Sequence, residues 1–433
     1  MSLRQVMIVQ ELVKEEHEQQ MPETQIKSAG ELLGIQGWKI ASGGITLRGG
    51  AVHLHLERES GAGRVCGKCG QGVLFLYDHL EERQVRDFPV WGLRCYLHLR
   101  AARVDCPTCG VQREKLEWIE GYQRMTLRYE MYVARLCGLL PGLDVAEWEG
   151  LDKETVYRLD RKWLARREKL REARPVRHLG MDEIALRRGH KYATVFYDLE
   201  RKEVIGLVQG RSQRKASRFF RRWGKANCKA VEAVCMDLWA AYRNSVRLHC
   251  RKALIVFDKF HVYTYLSQAI EETRRQEQNQ ADKAGQKLLK GSRWLWLRRA
   301  DKLKRKEKTT LDEIMAANAN LQKAYLLKED FEQFYQCEHR AEAAAFLAEW
   351  TRRCNESALK PFKQLAKRLN RWAGGILAYF TTRLTNAVSE GLNNKIKVLK
   401  RRAYGFHDMD YFFLKILNIT GALPSLDSLT HNF

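Results

Sequence analysis

Long apolar runs and acidic side chains are both scarce in this sequence. No uncharged apolar stretch reaches the roughly 18 residues that a transmembrane helix needs, and the mean hydropathy is −0.47. The first twenty residues carry acids where a signal peptide needs an apolar segment. These absences predict a cytoplasmic protein that has no membrane partner.

Acidic residues number 52 against 76 lysines and arginines, which leaves a net charge of +24. A surplus of this size attracts polyanions, and nucleic acid is the commonest polyanion in the cytosol. The alternative is that the charge serves solubility alone. Because 45% of the 433 residues are hydrophobic, the chain is too apolar for disorder and long enough for several folded domains. Only residues 1–35, which are polar and lack a sustained period, are expected to form a flexible arm.

The eleven cysteines, an odd number, argue against a disulfide framework in a cytosolic chain. Four of them form two C-x-x-C-G motifs, made by Cys66 with Cys69 and by Cys106 with Cys109. Two residues between cysteines allow a tight turn to direct both thiolates at one ion, and the following glycine tolerates the left-handed backbone of such a turn. The alternatives are a redox pair and coincidence.

The strands around these motifs predict a small zinc-binding β-rich domain over residues 36–122. Apolar and polar residues alternate over Val52–Leu56 and Leu93–Val104. The 36 residues between Cys69 and Cys106 leave room for an inserted hairpin or two. A domain of this size has little core, so a structural zinc ion would contribute folding free energy directly.

Residues 123–175 predict a helix-turn-helix domain. Asp144 and Glu147 have the side chains of a capping box, the short helix after them ends at Gly150, and a basic helix follows. The last helix of such a unit lies in a DNA major groove, with its N-terminal residues at the base edges. The alternative is an ordinary three-helix packing unit. The residues expected to contact DNA are Lys153, Thr155, Tyr157 and Arg158.

Residues 176–275 and 371–425 predict an RNase H-like α+β core. Three consecutive strands are followed by a helix, a short apolar strand ending at Asp237, another helix, and a buried strand ending at Asp258. Between these two segments, residues 276–370 look wholly helical and predict an insertion, which carries eleven bases against two acids over 283–308. The last helix of the core contains Glu390 and a basic second half.

Three acids are candidates for a phosphodiester-cutting site on this core. Cutting by two divalent cations requires carboxylates that converge from separate elements. Asp182 is placed on the first strand and Asp237 at the end of the adjacent fourth strand, and Glu390 is the acid of the last helix. Asp198 and Asp258 are competitors, of which Asp198 is expected to cap a turn.

Several motifs resemble those of bacterial DDE transposases of the ISL3 insertion-sequence type. They are GMDEIALRRGHKYATVFYDL, VCMDLWAAY, IVFDKFHV and TNAVSEGLNNKIKVLKRRAYGF. The cysteine motifs and the helix-turn-helix resemble the N-terminal part of that family in the same order, and the similarity covers roughly residues 30–420. The resemblance implies a DNA transposase in which Asp182, Asp237 and Glu390 hold two catalytic Mg²⁺ ions, for which Mn²⁺ can substitute, and in which His261 has a structural role.

The resemblance also implies the partners of the chain, which are double-stranded transposon ends and target DNA, a second copy in the active complex, and the bacterial nucleoid as its location. Basic and aromatic side chains are expected to contact this DNA, although the tryptophans could instead pack inside the insertion. They are Arg293, Trp294, Trp296, Arg298, Arg299, Lys395 and Lys397. The alternative functions are a transposase-derived DNA-binding regulator without catalysis and a structure-selective nuclease.

Overall fold

The computed structural model describes residues 34–428 except 173, 188 and 190. The predicted arm therefore lies outside the described residues, apart from its last two positions. Two compact units divide this part of the chain, one made of residues 34–163 with 425–428 and the other of residues 164–424. Among the described helices, none combines the length and the apolar character that crossing a bilayer requires.

The strands of the first unit form three small sheets. They are β1 (Trp38–Arg48), β2 (Ala51–Arg58), β3 (Arg64–Val65), β4 (Gly72–Val73), β5 (Leu76–His79), β6 (Arg83–Val90), β7 (Leu93–Leu99), β8 (Ala102–Cys106) and β9 (Gly110–Arg113). The largest sheet has the order β1-β2-β7-β6, with β2 and β7 parallel and the other pairs antiparallel. One face of this sheet is apolar, because alternate residues such as Val52, Leu54 and Leu97 are buried.

The single strand predicted over Leu93–Val104 is wrong, since it consists of two strands in different sheets. β7 belongs to the four-stranded sheet, whereas β8 pairs with β5 and β9. The break falls where Ala101 and Ala102 are buried one after the other, which a continuous alternating strand does not allow. β6 and β7 form a hairpin inside the segment that separates the two cysteine motifs.

Three helices complete the first unit in the predicted order: α1 (Leu127–Leu139), α2 (Gly142–Glu149) and α3 (Lys153–Lys169), whose last turns belong to the second unit. α2 ends at Gly150, which has φ of +63° in the left-handed region. The predicted capping box is wrong. α2 begins two residues before Asp144, after Pro141, whose ring fixes φ in the range that starts a helix.

The second unit is built on a five-stranded sheet. Its strands are β10 (His178–Arg187), β11 (Lys191–Asp198), β12 (Glu203–Gln209), β13 (Ala233–Met236) and β14 (Leu254–Phe257). The order is β12-β11-β10-β13-β14, with the first three strands antiparallel and β13 and β14 parallel to β10. The predicted RNase H-like arrangement is confirmed.

Helices cover this sheet and form the insertion. They are α4 (Gln213–Trp223), α5 (Lys225–Ala230), α6 (Ala240–His249), α7 (Lys259–Gln280), α8 (Lys283–Leu289), α9 (Arg293–Leu297), α10 (Arg305–Ala317), α11 (Ala319–Phe331), α12 (Arg340–Glu356), α13 (Lys360–Thr382), α14 (Ala387–Arg402) and α15 (Met409–Ile419). Between β14 and α14 the described chain contains helices and no strand. α13 approaches β14 closely at Gly375, where a Cβ atom would lie 2.4 Å from the Phe257 ring.

α14 lies alongside β10 and is fixed to its backbone at two places. Asn386, at the start of the helix, donates from Nδ2 to the Met181 carbonyl at 3.4 Å. Lys400, near its end, donates from Nζ to the Ala185 carbonyl at 2.7 Å. α14 is therefore held alongside β10, the strand that contains Asp182.

Candidate active site and zinc centre

The four cysteines of the two motifs lie together in the first unit. One ligand atom from each of Cys66, Cys69, Cys106 and Cys109 lies within 4.8 Å of the others. The Sγ atoms of Cys69 and Cys106 are 3.6 Å apart, close to the separation of about 3.8 Å that follows from tetrahedral geometry with Zn–S bonds of about 2.3 Å. The donor set and its spacing therefore fit a structural zinc ion.

Backbone geometry shapes the first cysteine motif. The Gly70 amide donates to the Cys66 carbonyl at 2.9 Å, and Gly70 has φ of +76°, as the sequence motif predicts. A backbone hydrogen bond from Cys69 is the main cause that lowers the pKa of the Cys66 thiol to about 7. A larger thiolate fraction at neutral pH favours metal binding, because the thiolate is the form that coordinates zinc.

Asp182 and Asp237 lie next to each other in the second unit, as the strand order predicts. Met181 and Met236 are register partners in the parallel pair of β10 and β13, so the residues that follow them reach the same level of the sheet. A ligand oxygen from each aspartate and a ring nitrogen of His261 lie within 4.8 Å of one another. This cluster contains two of the three predicted catalytic acids.

Neighbouring side chains hold both carboxylates in place. Asn393 of α14 donates from Nδ2 to Oδ2 of Asp182 at 2.7 Å, and the Tyr197 hydroxyl in turn donates to the Asn393 side-chain oxygen. His261 lies with Nε2 2.6 Å from Oδ1 of Asp237. His261, for which the resemblance implies a structural role, therefore contacts a predicted metal ligand directly.

The electrostatics of the cluster favour a cation. Burial raises the pKa of Asp182 from 3.8 to about 7, and the negative charge of Asp237 adds to this effect. Burial works to lower the pKa of His261, but the close contact with Asp237 and the negative charges of Asp237, Asp258 and Asp182 together outweigh it, so the pKa is raised. A carboxylate whose ionisation is disfavoured by a second carboxylate close by marks a site where a divalent cation relieves repulsion, and hard carboxylate oxygens are the ligands that Mg²⁺ and Mn²⁺ prefer.

Glu390 is exposed in the first turn of α14 and is not among the groups within 4.8 Å. It lies on α14 between two residues that contact β10. Asn386, four residues before it, contacts the Met181 carbonyl, and Asn393, three residues after it, contacts Asp182. Residues spaced by three and four share one face of a helix, so Glu390 projects on the same side as the two asparagines.

Three other acids of the second unit, which the proposed catalytic set does not include, have different surroundings. Asp198 is fully buried and accepts the Glu200 and Arg201 backbone N–H groups at 2.9 and 3.0 Å, so its predicted role in capping the turn is confirmed. Glu183 pairs with Arg211 at 3.3 Å. Asp258 is buried at the start of α7, and burial raises its pKa.

The exposed aromatic rings beside the cluster were not identified from the sequence. Trp239, two residues after Asp237, is 45% exposed, and its indole nitrogen donates to the Arg211 carbonyl at 3.2 Å. Phe260, directly before His261, is 62% exposed. The available signal was their position within two residues of the site residues in the motifs VCMDLW and DKFH.

The predicted DNA-contacting residues of α3 lie in its first two turns. Lys153 and Arg158 are exposed, whereas Thr155 and Tyr157 are half-buried. Asp152 caps the helix by accepting the Thr155 backbone N–H at 2.8 Å. On α14, Lys395 and Lys397 are both exposed. These positions leave the basic side chains accessible to a phosphate backbone.

The two tryptophans of the insertion differ. Trp294 is 62% exposed, with the Arg293 guanidinium 5.3 Å from its ring centre. The prediction that Trp296 contacts DNA is wrong, because its ring is fully buried, donates to the Ser292 hydroxyl at 3.1 Å and packs edge-on against Tyr325. Side chains two positions apart on a helix face different sides, which explains why only one of the two tryptophan rings remains accessible.

The remaining two arginines predicted to meet phosphate have acidic partners within the insertion. Arg298 pairs with Glu307 at 2.7 Å, and Arg299 pairs with Asp301 at 3.5 Å. All four side chains are at least partly exposed, so these ion pairs are weak and a phosphate could replace the acid.

Comparisons with known families match all three parts of the chain. The family profile described as a transposase, of the ISL3 DDE type, matches residues 179–416. The helix-turn-helix domain of transposase family ISL3 matches residues 114–164. The zinc finger of transposases IS204, IS1001, IS1096 and IS1165 matches residues 62–109.

Whole proteins are similar over most of their length. The transposase for insertion sequence element IS1001 of Bordetella parapertussis is 34% identical over 356 residues, which are 81% of this chain and 87% of that protein. The transposase for insertion sequence element IS1557 of Mycobacterium tuberculosis is 25% identical over 406 residues, which are 87% of this chain and 90% of that protein.

Proposed function

This chain belongs to the ISL3 family of insertion-sequence transposases, and we propose that it binds the terminal inverted repeats of its own element and catalyses strand cleavage and strand transfer at Asp182, Asp237 and Glu390. The single observation that carries the proposal is the approach of Asp182 to Asp237, where Asn393 of α14, the helix that also contains Glu390, contacts Asp182. A scaffold without catalysis has no need to keep buried, mutually repelling carboxylates together.

We assign the three acids as ligands of two Mg²⁺ ions, for which Mn²⁺ can substitute. When bound, such a pair of cations activates the attacking oxygen and stabilises the leaving one. Asn393 orients the Asp182 carboxylate, and His261 orients that of Asp237. Both are therefore positioning residues, and the carboxylates do not act as nucleophiles.

The reaction has two steps at one site. In the first, water attacks a phosphodiester at the transposon end and leaves a free 3′-hydroxyl and a 5′-phosphate. In the second, that hydroxyl attacks a target phosphodiester and displaces a target 3′-hydroxyl, so one bond forms for each that breaks. The exposed rings of Trp239 and Phe260 lie where an unpaired base near the cut could stack.

DNA binding is distributed over several elements in this proposal. The first turns of α3 read the repeat, with Lys153 and Arg158 at its surface, and the exposed lysines of α14 neutralise phosphates near the acids. Two ends must be processed together, so the active complex is a homodimer. Its place of action is the bacterial nucleoid.

A nicking assay on labelled transposon ends tests the function. The wild-type protein should cut the ends in the presence of Mg²⁺ or Mn²⁺. Asp182→Ala, Asp237→Ala and Glu390→Ala should each lower the rate about 1,000-fold or more, equivalent to about 4 kcal/mol of transition-state stabilisation, while end binding is retained.

Glu183→Gln is the matched control, since Glu183 neighbours Asp182 on β10 but pairs with Arg211. This variant should keep cutting within a few-fold of wild type. Binding of the ends by the wild-type protein without metal-dependent cutting under any condition would support the regulator instead, and cutting of branched DNA regardless of sequence would support the nuclease.

A further inference from the structure

The four-stranded sheet of the first unit has a second face that is rich in histidine. Its apolar face is formed by Val52, Leu54 and Leu97 with their neighbours. The opposite face carries His53 and His55 of β2 beside Tyr96 and His98 of β7, because His53 is the register partner of Tyr96 and His55 that of His98. Glu82, directly before β6, completes this group, and neither the cysteine site nor the acidic site uses it.

The three side chains of His55, Glu82 and His98 direct their polar atoms at one another. His55 Nδ1 lies 3.8 Å from one carboxylate oxygen of Glu82, and His98 Nδ1 lies 3.4 Å from the other. One donor atom from each residue falls within 4.8 Å of the others. Donors at about 2.0 to 2.1 Å from a tetrahedral zinc ion lie about 3.3 Å apart, so small side-chain movements suffice to complete the geometry.

His53 is placed to accept a hydrogen bond from a proton-bearing nitrogen of His98 in the tautomer that metal binding requires. Its Nδ1 lies 2.9 Å from His98 Nε2, and the His53 ring stacks on Tyr96 at 5.3 Å. When His98 Nε2 carries the proton and donates it to His53, the Nδ1 atom of His98 presents a lone pair toward Glu82. In protein metal sites, the free N–H group of a ligating histidine regularly donates to an acceptor that does not itself bind the metal.

We propose that His55, Glu82 and His98 form a second transition-metal site, which binds Zn²⁺ in addition to the ion of the four cysteines. Two imidazoles and one carboxylate suit zinc and exclude Mg²⁺ as the preferred ion. The side chains of His55 and Glu82 are 41% and 44% exposed, so a fourth position is open to water or to another ligand. A bound ion would link β2 to the hairpin of β6 and β7.

Zinc stoichiometry of the full-length protein tests the proposal independently of any DNA cleavage. After equilibration with Zn²⁺ in excess Mg²⁺, which occupies the acidic site, and gel filtration, the wild-type chain should carry two zinc ions, and the double variant His55→Gln with His98→Gln should carry one. His79→Gln is the matched control, because His79 is an exposed histidine of the same unit outside the group, and it should keep two.

Cobalt substitution of the wild-type protein provides a second measurement that does not depend on how the variant folds. The first equivalent of Co²⁺ should give the intense thiolate charge-transfer absorption of the cysteine site, and the second should add only the weaker d–d bands of nitrogen and oxygen ligands. A wild-type chain that binds a single equivalent of either metal would overturn the proposal. So would a double variant that still binds two, which would place the second ion elsewhere.

Discussion

At the residue scale, the burial of Asp182 beside Asp237 destabilises the fold at neutral pH when no cation is bound. The pKa of Asp182 is raised from 3.8 to about 7, so the folded protein binds this proton more tightly than the unfolded chain does. The stability contributed by the protonated form is therefore complete below pH 4 and is lost as the pH rises to about 7. Above that pH the ionised Asp182 carboxylate lowers the free energy of unfolding.

The stability of Asp182→Asn tests this destabilisation. The variant cannot ionise, so its advantage in free energy of unfolding over the wild type should grow by roughly 1 to 3 kcal/mol between pH 5 and pH 8 in the absence of added divalent cations. Denaturant unfolding at the two pH values gives the difference. Added Mg²⁺ should stabilise the wild type and reduce the gap, and a gap that is independent of pH would show that Asp182 ionises freely.

At the element scale, α3 is the helix that we propose to recognise the repeat sequence. Its N-terminus is set by Asp152, which caps it, and by the left-handed Gly150 just before it, and its first two turns carry the exposed side chains of Lys153 and Arg158. Their exposure distinguishes them from Val156 and Leu159, which are buried and hold the helix in place. Recognition and packing thus use different faces of one helix.

Replacing Arg158 with Ala should weaken binding to the transposon end about tenfold or more, because a lost base or phosphate contact costs about 1 to 3 kcal/mol. Lys169→Ala, at the other end of the same helix, should change the affinity little. Fluorescence anisotropy with the end duplex and with a scrambled duplex measures both effects. Equal losses for the two variants would indicate a general charge effect rather than recognition by the first turns.

Sequence patterns predicted the elements whose signals are local. The two cysteine motifs, the five strands of the core and Asp182 beside Asp237 follow from spacing, alternation and strand order. The start of α2 was missed because Pro141 begins the helix without a side-chain cap. The break between β7 and β8 was missed because the two residues at the break, Ala101 and Ala102, are small and apolar and give no turn signal. The group of His55, Glu82 and His98 was missed because it depends on the parallel pairing of β2 and β7, which local patterns do not reveal.

At the scale of the whole molecule, the two units carry different groups of predicted functional residues. The first unit carries the zinc ligands and the recognition helix, and the second carries the acids and the helical insertion. The net charge of +24 suits the proposed binding of two DNA ends and a target, because such binding neutralises many phosphates. The insertion contributes a tightly packed aromatic core around Trp350 and Phe331, with Trp294 at its surface.

The central claim is that Asp182, Asp237 and Glu390 meet at one pair of metal ions. Anomalous scattering from Mn²⁺ in crystals of the protein with its transposon ends measures this directly. The account predicts two manganese peaks about 4 Å apart, with a carboxylate oxygen of each of the three acids at coordination distance. A single peak held by Asp182, Asp237 and His261, with the Glu390 carboxylate remote from it, would contradict the account.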